Sequence, residues 1–464
     1  MRHALILGLL AGGVLPLAAQ VPDAQREARE ILAEMVSTNT TLAHGDVTPL
    51  AERLAARFVQ AGVPASDVQV IGPEAKNRNL VVRIRGTGTE RPVLFLAHLD
   101  VVDAPRADWS VEPFAITEKD GWLYGRGSID DKGPATTLVA GMLALVRSGK
   151  KPGRDLILAL TSGEETDGVP GAEWLVEQHR DLVDAEWVFN FDAGGPITQG
   201  GAIKWLSLQG AEKVYWTVTF TVHNAGGHSS QPRADNAIYQ LAAALGRLRA
   251  FRFPIHLTAV SRAELPTRAQ FVPAVEAAAI RAVLKEPLSL MAAEHLAAIR
   301  PEYNALLRTT CVATMLAAGH AENALPALAT ATVNCRLIPG ETSAATMAAL
   351  RRTVADTGVA IAEVDPAKPS PPSPLLPARI AIVKSAIEAA WGKDVPIAPI
   401  QESGATDGLY FRNAGIPVYG LHGIPMPLGE DREHGNDERI PVPSFAQGVK
   451  FATALIHGTA FGVQ

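Results

Sequence analysis

Acids and histidines stand in this chain where apolar runs end: His98 and Asp100, Asp130, Glu164 and Glu165, Asp192, and His434. Nitrogen and carboxylate donors brought together from separate elements are what a zinc centre requires. Hydrolysis at such a centre also needs a carboxylate left free to move a proton. In the run at 97–102, His98 is placed as a ligand, and Asp100 can accept a hydrogen bond from its other ring nitrogen. The Gly-bounded loop at 125–133 carries Asp130 and Asp131, and one carboxylate there could bridge two cations. Glu164 and Glu165, adjacent at a strand end, point in different directions, so one can ligate while its neighbour acts as general base toward water. Each feature also has an ordinary reading. His-x-Asp alone is more often a solvated strand end, the 125–133 loop a helix cap, and the glutamate pair an acidic turn. Asp192 is equally ambiguous, and most of the 12 histidines must be structurally indifferent, His434 among the candidates. Number and shared placement argue for one site.

These residues need elements to position them. Apolar runs at 80–84, 93–96, 156–160 and 187–191 predict strands, and amphipathic stretches at 135–148 and 171–178 predict helices between them. That alternation predicts an α/β fold with helices on both faces of the sheet. Ligands bind beyond the carboxyl ends of such strands, and His98, Glu164 and Asp192 each follow one of these runs. From Lys213 the texture changes. A strand at 214–222, a helix at 236–248, a strand at 329–337, a helix at 342–357 and a strand at 359–364 predict a small inserted α+β layer. Extra material at 251–316, mostly helical in pattern, belongs to neither layer. Pro366, Pro369, Pro371, Pro372, Pro374 and Pro377 mark a return linker. The expected division is 1–19 as a signal peptide, 20–212 and 366–464 as two parts of one domain, and 213–365 as the layer inserted into it.

Composition bounds the partners. The 464 residues are 47% hydrophobic and 19% charged, which suits a globular protein with two substantial cores. A net charge of -6 with no basic block disfavours nucleic acid and anionic membrane surfaces, leaving small molecules or peptides. The N-terminus carries a short positive region, an apolar run at 4–17 and small residues at Ala18 and Ala19, the pattern of a cleaved signal peptide. The expected location is therefore periplasmic or secreted, with no membrane partner after cleavage. The two cysteines, Cys311 and Cys335, make no framework, and two separate buried thiols are expected.

Taken together, the residues resemble the metallopeptidase family that includes glutamate carboxypeptidase, aminoacylase-1, acetylornithine deacetylase and carboxypeptidase S. The resemblance is carried by His98-x-Asp100, Gly125-Arg126-Gly127 through Asp130-Asp131-Lys132-Gly133, Glu164-Glu165, Asp192, Gly226-Gly227-His228-Ser229, Asn323, Arg336 with Pro339-Gly340, and His434. The run from Trp109 to Gly127 is most similar to the carboxypeptidase S and N-acyl-amino-acid hydrolase branch. The resemblance implies a di-zinc peptidase sheet with a lid, Co or Mn being substitute metals. It implies that Asp130 bridges two zinc ions about 3.5 Å apart, one joined by His98 and Asp192, the other by Glu165 and His434. Asp100 would orient His98, Glu164 would be the base, and the Asp130-Asp131 peptide would be cis. On the lid, His228 would stabilise the oxyanion, Arg336 would pair with a substrate carboxylate, and Asn323 would support the substrate. The loop at 403–407, with Gly404, would offer backbone amides.

The implied activity is that of an exported hydrolase cleaving an amide bond next to a free carboxylate, as a carboxypeptidase or dipeptidase. An N-acyl-amino-acid hydrolase is the alternative. Asp192, where some branches place Glu, bears on that choice. A non-catalytic peptide-binding protein on the same fold would have no use for Glu164, and a related aminopeptidase would need an acid where Arg336 stands. Both monomers and homodimers occur with this pattern. The stretch at 251–316 could be the additional lid sequence of a monomer, which is the state expected here.

Overall fold

The computed structural model describes residues 24–462 except 44, 166, 167, 393 and 431. The expected signal segment lies outside the described residues. The runs expected as strands carry almost no polar alternation, which suits strands covered on both faces. They form the middle of a ten-stranded sheet. Strand Val93–His98 lies between Leu156–Thr161 and Trp187–Asn190, parallel to both, and Val418–Gly420 extends the parallel set. Antiparallel strands flank this core: Asn79–Ile84 on one side and Ala202–Glu212 on the other.

Successive side chains of these strands face opposite ways, and both faces are dry. Phe95, Leu158 and Phe189 pack with Leu54, Leu138 and Leu455 from helices Thr48–Ala61, Lys132–Arg147 and Val442–Phe461. Leu94, Leu96, Ile157 and Val188 pack on the other side against Leu175 and Phe411, from helices Gly171–Gln178 and Gly408–Asn413. Because the central strands run parallel, residues 98–100, 162–165 and 191–192 leave the sheet at one edge.

The inserted layer is a four-stranded antiparallel sheet in the order Thr310–Ala318, Leu328–Leu337, Val214–His223, Val359–Glu363. Its inner face, with Trp216, Phe220 and Val333, is covered by Leu241 and Leu350 of helices Ala237–Ala250 and Ser343–Val354.

The structure corrects two expectations. Residues 251–316 do supply four short helices, Ala259–Arg268, Ala274–Val283, Leu290–Ile299 and Pro301–Leu307, with a core of their own around Leu265, Ile280 and Tyr303. The stretch then becomes the edge strand of the lid sheet. At that edge Val312, Met315 and Leu316 are 61–68% exposed, and a bulge interrupts the pairing between Ala313 and Met315, so no buried-exposed period betrays the strand. The cysteines are not separate thiols: Cys311 and Cys335 form a disulfide. They sit directly opposite one another on paired strands, Cα atoms 4.0 Å apart, a register that their separation of 24 residues does not reveal. The proline-rich segment has no regular structure through residue 376, and Pro377 opens the helix Pro377–Trp391. Among the described residues, no helix is long and apolar enough to cross a membrane.

Candidate metal centre

His98 ends its strand and is 1% exposed. Its Nε2 lies 2.9 Å from Asp130 Oδ1 and 3.5 Å from Asp192 Oδ1. The second oxygen of Asp130 faces His434, whose Nε2 is 3.0 Å from Oδ2 and 2.6 Å from Glu165 Oε1. One carboxylate thus stands between two histidines, an oxygen toward each. Asp130 is presented by the loop between strand Trp122–Tyr124 and helix Lys132–Arg147, and its peptide bond to Asp131 is cis, as the resemblance implies. The loop needs its glycines: Gly127 has φ +84, and a Cβ on Gly133 would stand 1.9 Å from the Ser128 carbonyl oxygen. His434 itself occupies the left-handed region, at φ 60.

Asp100 works differently from expectation. The atom facing His98 Nδ1 at 3.0 Å is its backbone carbonyl oxygen, while its carboxylate lies 3.8 Å away. The carboxylate instead accepts the backbone N–H groups of Glu164 and Glu165, at 3.3 and 2.9 Å, and so shapes the glutamate turn. A carbonyl can only accept, so it keeps a proton on Nδ1 and leaves Nε2 turned toward Asp130 and Asp192.

The electrostatics are those of crowded, buried acids. Burial pushes the Glu164 carboxyl well above its usual range, with Asp192 adding to the effect, and burial likewise raises Asp192 to about 7 and lifts Glu165. Burial also disfavours charge on Asp130, but hydrogen bonds from His434 and His98 hold it far below the usual carboxylate range. Hydrogen bonds to Asp130 and Glu165 raise His434 to about 10. Burial opposes charge on His98, yet Asp192 and Asp130 still raise it well above the usual value. This much negative charge calls for a cation, supplied by protons on the rings or by metal.

The donor chemistry fits metal. Ligand atoms of His98, Asp130 and Glu165, and of His98, Glu164 and Asp192, lie within 4.8 Å of one another in each group. Asp192 Oδ2 is buried without a hydrogen-bond partner, an acceptor left for a cation. Distance alone admits Glu164 as a donor as readily as Glu165.

The lid residues are placed elsewhere. His228 and Asn323 are brought together, where the two-residue strand Gly227–His228 pairs with Ala324–Leu325 and the Asn323 carbonyl accepts the Ser229 N–H at 3.0 Å. His228 is exposed, and its ring bonds to Ser230 rather than to the acid-histidine cluster. Arg336 is different: its guanidinium lies over the Tyr215 ring at 4.6 Å, Nε donates to Asn334, and the charge of Glu164 reaches it. Gly404 is half-buried, with nothing nearer to an added Cβ than Glu402 at 4.0 Å, so no close approach demands glycine there.

Three further buried acids surround the cluster. Asp131 accepts the His98 N–H at 3.0 Å. Asp407, raised to about 7 by burial, accepts from Thr161 Oγ1 at 2.6 Å. Glu438 binds the loop that carries Asp130. Asp131 shares the 125–133 loop with Asp130, and Asp407 the 403–407 loop with Gly404, but only the fold supplies the partners of these two and of Glu438.

Residues 94–458 match the Peptidase family M20/M25/M40. The chain belongs to this family. It is 31% identical to the N-fatty-acyl-amino acid synthase/hydrolase PM20D1 of Xenopus tropicalis over 378 residues, covering 79% of this chain and 72% of the relative. It is 29% identical to the probable carboxypeptidase S-like 2 of Dictyostelium discoideum over 404 residues, 82% of this chain and 75% of that one. Among solved structures, the M20 family metallo-carboxypeptidase Sso-CP2 from Sulfolobus solfataricus superposes with a TM-score of 0.72 at 17% identity, covering 93% of this chain and 98% of that chain, a likeness of fold. As an M20 family member the protein is a metallohydrolase acting on amide bonds, with a mixed α/β fold.

Proposed function

We propose that the protein is an exported di-zinc hydrolase whose substrate carries a free carboxylate next to the scissile amide, either a short peptide or an N-acyl amino acid. The observation that carries this reading is Asp130 standing between His98 and His434, with the Glu164-Glu165 pair beside it. Asp130, His98 and Asp192 would hold one metal ion, and Asp130, Glu165 and His434 the other. Bound there, the metals supply the positive charge that polarises a carbonyl and acidifies water.

The remaining chemistry belongs to the chain. Glu164 takes the proton of the attacking water and passes it to the departing amine, a role its place beside the ligand atoms of His98 and Asp192 allows. Arg336, stacked on Tyr215, pairs with the substrate carboxylate. His228 donates to the oxyanion once the lid element carrying it reaches the site. The relatives named above support both substrate types, and the family of N-fatty-acyl-amino acid enzymes favours an N-acyl amino acid as the first substrate to try. Export is supported by the signal-like N-terminus and by the Cys311–Cys335 disulfide, a bond that persists in oxidising compartments.

The test is release of free amino acid from N-acyl amino acids and from blocked dipeptides, compared by kcat/KM. Chelation should abolish it, and Glu164→Gln should lower kcat by about 10²–10⁴ while leaving metal content unchanged. Turnover that survives either treatment would sink the proposed mechanism.

A further inference from the structure

Glu438 is fully buried, in the turn just before strand Arg439–Pro441, and none of the roles above uses it. Its carboxylate is the acceptor for three backbone N–H groups of one short loop: Gly127 at 2.9 Å on Oε2, and Ile129 at 2.8 Å and Asp130 at 3.1 Å on Oε1. Its backbone carbonyl accepts a fourth, from Gly125, at 3.0 Å. The charge is balanced by Arg126 of the same loop, Nη1 2.7 Å from Oε2, with both side chains 2% exposed or less. The other arm of Arg126 donates to the Gly435 carbonyl at 2.9 Å, and its guanidinium lies over Trp109 at 5.1 Å.

The chain separation gives this pair its meaning. The loop at 125–131 carries Asp130 and the loop at 433–438 carries His434, with some three hundred residues between them. Arg126 and Glu438 tie the two together on both sides of the two residues that face each other at 3.0 Å. Neither loop is a regular element that would hold its own shape. An acceptor-only carboxylate is the one side chain able to satisfy several converging N–H groups while closing an ion pair.

We propose that Glu438, paired with Arg126, is a positioning residue that holds the Asp130 loop and the His434 loop in register for a shared metal. The inference rests on the metal reading given above. A carboxamide at 438 keeps the shape but turns a donor toward Arg126 and the Gly127 N–H, so E438Q separates the carboxylate's role from its volume.

Two measurements on the full chain test this. In metal-free protein, amide hydrogen exchange of 125–131 should be at least tenfold faster in E438Q than in wild type, with the sheet strands unchanged. In zinc titrations against a chromophoric chelator, E438Q should bind about 10–100-fold more weakly, the loss typical of removing a group that orients ligands, with an unaltered circular dichroism spectrum. R126K, which keeps the charge but cannot reach Glu438 and Gly435 together, should show a smaller loss in both and serves if E438Q does not fold. Unchanged exchange and unchanged zinc affinity in a folded variant would overturn the proposal. If wild type itself bound no zinc, the metal reading would fail, while fast exchange confined to 125–131 would still sustain the tie between the loops and normal exchange would refute it.

Discussion

The proposed preference for carboxylate-bearing substrates rests on a single side chain, Arg336. Arg336 is half-buried, stacked on Tyr215 and close enough to Glu164 to feel its charge. A hydrogen-bonded ion pair at such a position contributes about 2 kcal/mol, so Arg336→Ala should lower kcat/KM roughly thirtyfold on an N-acyl amino acid. The same substrate with its carboxylate amidated should be hydrolysed equally by wild type and variant, and an equal loss on both would remove Arg336 from substrate recognition. At this scale the sequence was informative where chemistry is written into residue type. His98, Asp130, Glu164, Glu165, Asp192 and His434, which the structure brings together, could be picked out by residue type and motif, with His98 and Asp192 at strand ends and Asp130 and His434 in loops. Glu438, Asp131 and Asp407 could not, because a buried acid is defined by its partners. The amides that Glu438 accepts lie in a loop about three hundred residues away. Asp100 faces His98 as the resemblance implies, but side-chain chemistry points to its carboxylate, and only backbone geometry shows that the carbonyl oxygen is nearer, at 3.0 against 3.8 Å.

Elements were legible where burial imposed a period. The central strands read as unbroken apolar runs because both faces are covered, and the lid strand Val214–His223 read as an alternation because one face is. The edge strand Thr310–Ala318 has neither condition, and its disulfide partner was hidden with it. The passage between the two layers has a physical signature of its own. Lys213 links strand Ala202–Glu212 to strand Val214–His223, and its fully buried Nζ donates to the carbonyls of Ala305 and Arg308 and to Thr310. Burial, with Arg336 nearby, lowers its pKa to about 7. The sign follows from proton counting: between about 7 and the unfolded value near 10.4, the unfolded chain holds a proton that the folded chain has released. Stability therefore rises with pH across that window, by at most about 1.4 kcal/mol per unit for one proton, and below it the buried charge is a fixed cost. Lys213→Met should flatten the slope of unfolding free energy between pH 7 and 9, measured by urea denaturation. Parallel curves for the two proteins would show that the lysine does not titrate in that range.

For the whole molecule, the lid leaves two things unfinished. Its edge strand presents Val312, Met315 and Leu316 to solvent beside unpaired backbone, and Ile238 and Tyr239 are exposed on a lid helix. An apolar sheet edge of this kind is usually covered. His228, for its part, bonds to Ser230 and not to the cluster it is proposed to serve. Both would be resolved if two copies paired through their lids, each supplying His228 to the other's site, and we propose this homodimer as the alternative to the monomer expected from the 251–316 insertion. Light scattering of purified protein should then give twice the chain mass, and Met315→Lys on the edge should return it to one. The decisive experiment mixes two inactive variants, Glu164→Gln and His228→Ala, under conditions of subunit exchange. In a mixed dimer, the site that keeps Glu164 receives its histidine from the Glu164→Gln chain, so activity should reappear. If His228 serves its own chain instead, every site in the mixture lacks one group or the other, and the mixture stays as inactive as its components.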